Sequence, residues 1–265
     1  MNKVLMCLDY NGTIDNLISK CADYESGGKF PTFFRGILSM SVATKSTVSL
    51  AIISSAQVDE IKEEIRIINY YAGMYCKLAL GDSGNLINYI VGDKSKQVYN
   101  CNDCSVQQIT TEAQTKKEGV ETILGLPSEQ GTNLLITGGD TKEDVCMIDA
   151  ETGGIPNVFI SPKANKDVID LQTDTPIIRD SKNNNSEGIG RCLISLSKSL
   201  EEYNLTEAFS QPQAIECEST EDSSTESFVE TSQIPEIIIN EQNINSQQVT
   251  KLEPTPEDIS EIPIN

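Results

Sequence analysis

The chain reads, from residue 4 onward, Val4-Leu5-Met6-Cys7-Leu8-Asp9-Tyr10-Asn11-Gly12-Thr13-Ile14. Five consecutive apolar residues that end at an acid are typical of a buried strand in a parallel sheet. The Asn-Gly pair that follows favours a turn, because glycine adopts backbone angles that other residues avoid. The stretch therefore predicts a core strand that presents Asp9 at the edge of a sheet.

Strands and helices alternate from this stretch to residue 205. The predicted strands are Val4–Leu8, Val48–Ile53, Asn133–Thr137 and Val158–Ser161, and the predicted helices are Thr32–Ala43, Val58–Tyr71, Thr115–Leu124, Lys142–Glu151 and Ser186–Tyr203. Lys77–Leu80 and Leu86–Val91 flank a Gly-Asp-Ser-Gly turn and are predicted to form a hairpin or a strand–turn–strand unit. The alternation predicts an α/β domain over residues 1–205, with a Rossmann-like parallel sheet flanked by helices.

The composition changes after residue 205. Residues 206–265 contain thirteen acids and one base, Lys251, among many polar residues and prolines. Such a segment cannot bury enough apolar surface to offset its chain entropy, so we predict an acidic disordered tail. Its apolar islands, Ile237–Ile239 and Ile259–Ile262, leave open the alternative that the tail docks on a protein partner.

Composition excludes several classes of function. The formal net charge of −20 argues against nucleic acid or an anionic membrane surface as a direct partner. The absence of histidine excludes Ser-His-Asp and Cys-His catalysis and histidine-containing zinc sites. No apolar run has the length of a signal or membrane-spanning segment, so we expect a cytoplasmic protein, with a secreted effector as the alternative.

The eight cysteines are expected to be reduced, because the chain is long and several of them lie inside apolar runs. Cys101 and Cys104 have the spacing of a zinc knuckle. No second pair or histidine completes four ligands, so two free thiols are the expected state.

Residues able to do chemistry follow the predicted strands, where ligands bind on parallel sheets. They are Asp9 after the first strand, Ser54 and Ser55 after the second, Lys116 and Lys117 at a helix start, and Asp140 and Asp144 after the third strand. Each alone has a structural interpretation, as a turn, a strand-end hydroxyl, a solvated helix start or an acid at a helix N-terminus. Their joint occurrence at one sheet edge is far more specific.

This set resembles the motifs of the haloacid-dehalogenase-like phosphohydrolases. Leu8-Asp9-Tyr10-Asn11-Gly12-Thr13-Ile14 is similar to their opening motif, and Ser54, the lysine pair and Gly139-Asp140 with Asp144 are similar to the other three, in the same order. The resemblance spans residues 3–162. Within the superfamily, the first motif and the stretch Gly81–Asn85 resemble the trehalose-phosphatase-like branch.

The resemblance implies a Mg²⁺-dependent phosphatase that acts through an aspartyl-phosphate on Asp9. It implies Mg²⁺ ligation by Asp9, the backbone carbonyl of Asn11 and Asp140, with Asp144 behind them. Ser54, Ser55, Gly12 and Lys116 are the implied phosphate-binding residues. Asp9, Asn11 and Lys117 are the implied catalytic positions, with Lys116 as the alternative lysine.

Asn11 departs from the superfamily pattern, which has a second aspartate at this position. That aspartate protonates the leaving group and activates water, and an amide can do neither. Two interpretations follow: a phosphatase with slow turnover, or a catalytically impaired phosphate-binding scaffold with a partner-binding tail.

Residues 56–115 correspond to the segment where this superfamily inserts a substrate-selecting cap. The segment also has to supply a helix and a turn, so the cap-like insertion is predicted to be small or absent. An open site favours large substrates, such as a phosphoprotein or another large phosphoester.

Overall fold

The opening stretch forms the middle strand of a sheet in the computed structural model, which describes residues 2–81, 83–92, 97–108, 115–163, 173–182, 185–202 and 214–217. All of these residues belong to one unit of the chain, Met1–Thr220. The described strands are β1 (Lys3–Leu8), β2 (Thr47–Ser54), β3 (Ile87–Gly92), β4 (Gln97–Asn100), β5 (Val106–Gln108), β6 (Thr132–Gly138), β7 (Asn157–Ser161), β8 (Ile177–Asp180) and β9 (Ala214–Cys217).

The sheet has the order β5-β4-β3-β2-β1-β6-β7-β8-β9. Along the sheet from β3 through β2, β1, β6, β7 and β8 to β9, each strand is parallel to its neighbour. Strands β4 and β5 extend the sheet beyond β3, and both pair in antiparallel fashion. Strand β1 has neighbours on both sides, and its register places Leu8 beside Ile52 of β2 and Gly138 of β6. The ends of β1 and β6 therefore lie together at one edge.

Helices cover both faces of the sheet. They are α1 (Leu17–Glu25), α2 (Thr32–Thr44), α3 (Val58–Tyr75), α4 (Lys116–Leu124) and α5 (Asn185–Glu202), with 3-10 segments at Lys77–Ala79, Pro127–Glu129 and Lys142–Asp149. Alternate β1 residues point to opposite faces. Met6 packs in a cluster with residues of α1, α2, α3 and α5, whereas Leu5 packs with α4 and the segment Lys142–Asp149.

The predicted fold class is confirmed, since helices flank a largely parallel sheet. Two local predictions are wrong. Lys77–Leu80 and Leu86–Val91 form neither a hairpin nor a strand–turn–strand unit, because Lys77–Ala79 is a 3-10 segment and β3 pairs with β2 and β4. Lys142–Asp149 is a 3-10 segment rather than an α-helix. Its Asp144 turns inward to accept hydrogen bonds from Thr141.

The segment 56–115 is part of the main fold. Its described residues form α3, which covers the sheet, and β3, β4 and β5, which belong to the sheet itself. They contain no separate lid domain, although residues 82, 93–96 and 109–114 lie outside the description. None of the helices in the described part of the chain combines the length and apolar character needed to cross a bilayer.

Strand β9 corrects the predicted start of the tail. Ala214–Cys217 falls within the segment 206–265 that composition assigns to the tail, yet it pairs in parallel with β8. Without β9 the outer edge of β8 would leave its backbone groups unpaired, and this four-residue stretch satisfies them. The two apolar islands of the tail, and residues 218–265 as a whole, lie outside the described residues.

Candidate active site

Three carboxylates meet at the edge where β1 and β6 end. Asp9 directly follows β1, Asp140 lies two residues beyond β6, and Asp144 lies in the 3-10 segment that follows. One oxygen of each lies within 4.8 Å of the others. Asp9 is 5% exposed and Asp144 is fully buried. The sequence-based prediction that these three acids share one site agrees with this geometry.

The glycines of the turn after β6 allow this close approach. An added β-carbon at Gly138 would lie 2.5 Å from the carbonyl oxygen of Ile160, so the strand end fits only without a side chain. A β-carbon at Gly139 would lie 2.5 Å from the Asp144 Cβ. Such distances are far below van der Waals contact. The Gly138-Gly139 pair therefore brings Asp140 and Asp144 back towards β1.

Lys116 is the lysine that reaches the carboxylates. Its Nζ donates to Asp9 Oδ1 at 2.8 Å and also to Asp144 Oδ1, and its side chain is 9% exposed. Thr115 fixes the start of α4, because its Oγ1 accepts from the Glu118 backbone N–H while Glu118 accepts from the Thr115 N–H. Lys116 is thus held as the first residue of that helix.

Lys117, which the resemblance implies as the catalytic lysine, does not face the carboxylates. Consecutive helical residues are about 100° apart around the helix axis, so only one of the pair can face the carboxylates. Lys117 is directed along α4 instead, with its Nζ 3.7 Å from Glu121 Oε1, and its side chain is 37% exposed.

Asp144 has a supporting role. Its Oδ2 accepts hydrogen bonds of 2.8 Å from both the backbone N–H and the hydroxyl of Thr141. Its Oδ1 receives the Lys116 ammonium. With both oxygens engaged, Asp144 orients the lysine and the turn.

Lys163 is a site residue that the sequence analysis missed. It lies two residues beyond β7, and its Nζ is 2.5 Å from Asp140 Oδ2. The sequence feature that pointed to Asp140, a polar residue just past the end of a core strand, is also present at Lys163. A single lysine has no neighbouring acid in the sequence to draw attention to it.

Burial is the largest single cause of the pKa shifts in the site. It raises the pKa of Asp9 to about 6. The charge of Lys116 opposes this rise, and the charge of Asp144 adds to it. Burial alone would lower the pKa of Lys116, but the charges of Asp9 and Asp144 raise it. Three carboxylates and two ammonium groups leave one net negative charge, which favours an additional cation.

The other predicted residues surround this cluster. Asn11 is exposed in the turn after Asp9. Gly12 has a φ of +71° and donates its backbone N–H to Asp15 Oδ2 at 3.1 Å. Ser54 is fully buried at the end of β2, and its Oγ accepts from the Ala56 N–H at 3.2 Å. Ser55 is exposed at the same edge of the sheet.

Two more side chains of the Asp9 loop are buried. Tyr10 is 2% exposed and donates its hydroxyl to Glu64 of α3, which ties the loop to that helix. Desolvation and the Glu64 bond both raise the pKa of Tyr10. The buried Thr13 Oγ1 has no hydrogen-bond partner among the described residues. The sequence analysis assigned no role to either residue.

One thiol lies beside the acid cluster: Cys146 belongs to the same 3-10 segment as Asp144 and donates to the carbonyl oxygen of Glu143 at 3.1 Å. None of the seven cysteines whose side chains are described forms a disulfide. Of the pair beside β4, Cys101 is half-buried and Cys104 is exposed.

Comparisons with known proteins give no family. No protein-family model matches the chain. A crystal structure of Thermoplasma acidophilum protein 0175 is similar over 77% of this chain and 100% of that chain, with 12% identity and a TM-score of 0.39. The structure of Plasmodium falciparum IMP-nucleotidase is similar over 79% of this chain and 65% of that chain, with 9% identity and a TM-score of 0.30.

A curated human protein, biorientation of chromosomes in cell division protein 1-like 1, is 35% identical over 69 residues. The match covers 26% of this chain and 2% of the human protein. The finer resemblance to the trehalose-phosphatase-like branch has no support among these proteins.

Proposed function

We propose that this protein is a divalent-cation-dependent phosphoester hydrolase that forms an aspartyl-phosphate on Asp9. One observation carries the proposal: buried Asp9 lies within 4.8 Å of two further carboxylates and in contact with the Lys116 ammonium. Burying such a set is costly unless its charges are balanced, so arrangements of this kind are candidates for functional sites.

Asp9 is the proposed nucleophile. A carboxylate oxygen of Asp9 attacks phosphorus, the bond from phosphorus to the substrate oxygen breaks, and the leaving group takes a proton from water. A second water then attacks the aspartyl-phosphate, which releases phosphate and restores the carboxylate. The Lys116 ammonium, 2.8 Å from Asp9 Oδ1, offsets the negative charge that accumulates as two anions approach.

The donor set fits Mg²⁺. Hard carboxylate oxygens are the ligands that this ion prefers, and Asp9 and Asp140 offer them within one cluster. Asp9, Asp140 and the backbone carbonyl of Asn11 would hold the ion, with Asp144 behind them. When bound, Mg²⁺ supplies positive charge between the nucleophile and the phosphate.

The phosphate and substrate assignments extend the same proposal. Gly12, Ser54 and Ser55 belong to the loops at this edge of the sheet and are proposed to line the phosphate position. The described part of residues 56–115 joins the main sheet and its covering helix. Because that part adds no separate lid domain, the proposed substrate is a large one, such as a phosphoprotein.

A phosphatase assay with Mg²⁺ on small and peptide phosphoesters tests the function. We expect phosphate release by the wild-type chain and none by Asp9→Asn, which keeps the size of the side chain and removes the nucleophile. Release that is equal in both proteins would contradict the proposal. Robust turnover of small sugar phosphates without activity on phosphopeptides would contradict the substrate class alone.

Asn11 favours a second candidate, a phosphate-binding scaffold without turnover. The exposed amide at this position cannot act as an acid or a base. Asn11→Asp separates the two functions. If the other site residues can catalyse phosphoester hydrolysis, restoring the carboxylate should raise the phosphatase rate roughly 10²–10⁴-fold, the usual contribution of general acid–base catalysis. A rate that remains at background, with phosphate binding retained, would favour the scaffold.

A further inference from the structure

Lys163 is held at the rim of the carboxylate cluster by its own loop. Ser161 ends β7, and its hydroxyl donates to the carbonyl oxygen of Lys163 at 3.0 Å. The same hydroxyl accepts from the Lys163 N–H at 3.4 Å. These local bonds fix the backbone from which the side chain extends to Asp140.

Helix α5 supports this loop from behind. A β-carbon at Gly188 would lie 3.0 Å from the backbone of Pro162, so helix and loop are in direct contact. Arg191 of the same helix holds Asp180 at the end of β8 through two hydrogen bonds, of 2.9 and 2.6 Å. The strand ends on this side of the site are therefore in contact with one helix, which lies behind the backbone of Pro162 and Asp180.

The two lysines of the site differ in how they are held. Lys116 contacts both Asp9 and Asp144 and is 9% exposed, so it is enclosed within the cluster. Lys163 contacts Asp140, and its side chain is 34% exposed. A long side chain that is partly in solvent can withdraw its ammonium at small cost, whereas an enclosed one cannot.

We propose that Lys163 is an internal competitor that sets the divalent-cation affinity of the Asp9, Asp140 and Asp144 cluster. This inference rests on the proposed function, because it assumes that the cluster binds a divalent cation. The Lys163 ammonium occupies Asp140 Oδ2 at 2.5 Å, so an ion bound by Asp140 must share or displace it. Without Lys163 the cluster has two net negative charges instead of one.

Calorimetric titration of the full chain with Mg²⁺ tests the inference. Lys163→Gln should bind Mg²⁺ about tenfold or more tightly than wild type, because two like charges near 4 Å repel appreciably even in a polar environment. Lys163→Arg keeps the charge and should bind as wild type does. Lys62→Gln removes an exposed lysine that pairs with Asp59 on α3 and controls for net charge.

The outcomes distinguish this inference from the proposed function. If wild type binds Mg²⁺ and Lys163→Gln binds equally or more weakly, the competitor role is overturned and the metal site stands. If neither protein binds Mg²⁺ while both unfold cooperatively at similar temperatures, the inference and the proposed metal site fail together. Tighter binding in both Lys163→Gln and Lys62→Gln would reveal a general charge effect and would overturn the role of Lys163.

Discussion

Gly12 lies directly against the carboxylate of Asp140: a β-carbon at position 12 would be 2.7 Å from Asp140 Cγ. The φ of Gly12 is +71°, in the left-handed region that favours glycine. The loop after β1 and the turn after β6 are therefore fitted to each other at one residue, and this contact sets the position of a proposed metal ligand.

Replacing Gly12 with alanine should disable the site more than it destabilises the fold. The added methyl group must displace Asp140, so we expect Mg²⁺ binding by calorimetry to weaken at least about tenfold, since ligand geometry controls affinity for this ion. Gly84→Ala is the matched control. Gly84 has a similar φ of +69°, but an added β-carbon there meets nothing within 4 Å. Equal loss in both variants would show that backbone strain, and not Asp140, is responsible.

Lys116 and Lys117 provide a second comparison, between adjacent residues of one type. Lys116→Gln leaves Asp9 and Asp144 buried without their shared cation, so we expect a loss of roughly 3 kcal/mol in the free energy of unfolding. Lys117→Gln removes a half-exposed pair with Glu121 and should change stability by less than about 1 kcal/mol. Urea unfolding measures both values. A larger loss in Lys117→Gln would contradict the assignment.

The lysine pair also illustrates what the sequence could predict. Strand ends place polar residues at one edge, and this rule identified Asp9, Ser54, Asp140 and Asp144 without any coordinates. Choosing between Lys116 and Lys117 required the rotational position of α4, which depends on where its N-terminus begins. That position is set by the bonds between Thr115 and Glu118.

The helices and strands that the sequence did not predict are those without a long apolar run. Helix α1 has few buried residues, and β4, β5 and β8 are three or four residues long. Such short strands depend on an existing neighbour for their backbone bonds, so their own sequences carry little periodicity. Lys163 was missed for a related reason, because its partner Asp140 lies on a different loop and is brought to it only by the sheet.

Gly190 should tolerate alanine poorly, because it lies where α5 crosses α2. A β-carbon there would be 2.5 Å from the backbone nitrogen of Phe33, which cannot move without shifting the whole helix. Gly190→Ala should therefore cost roughly 1–3 kcal/mol in the free energy of unfolding, as overpacking usually does. Gly73→Ala, inside α3 with nothing within 4 Å, should stabilise by about 0.5–1 kcal/mol. Effects of the same sign in both variants would rule out packing as the cause.

Glu129, which does not belong to the acid cluster, should make the stability of the fold depend on pH. It is 3% exposed, and burial raises its pKa above 4.5 although Lys3, at 3.1 Å, opposes the shift. The folded state therefore holds this proton more tightly than the unfolded chain does. The resulting stability is fully present below pH 4.5 and is lost as the pH rises through the folded pKa. Glu129→Gln cannot titrate, so the stability of this variant relative to wild type should increase with pH across that window. A difference that stays constant in urea unfolding between pH 5 and pH 8, or that decreases, would show that Glu129 keeps an ordinary pKa in the folded protein.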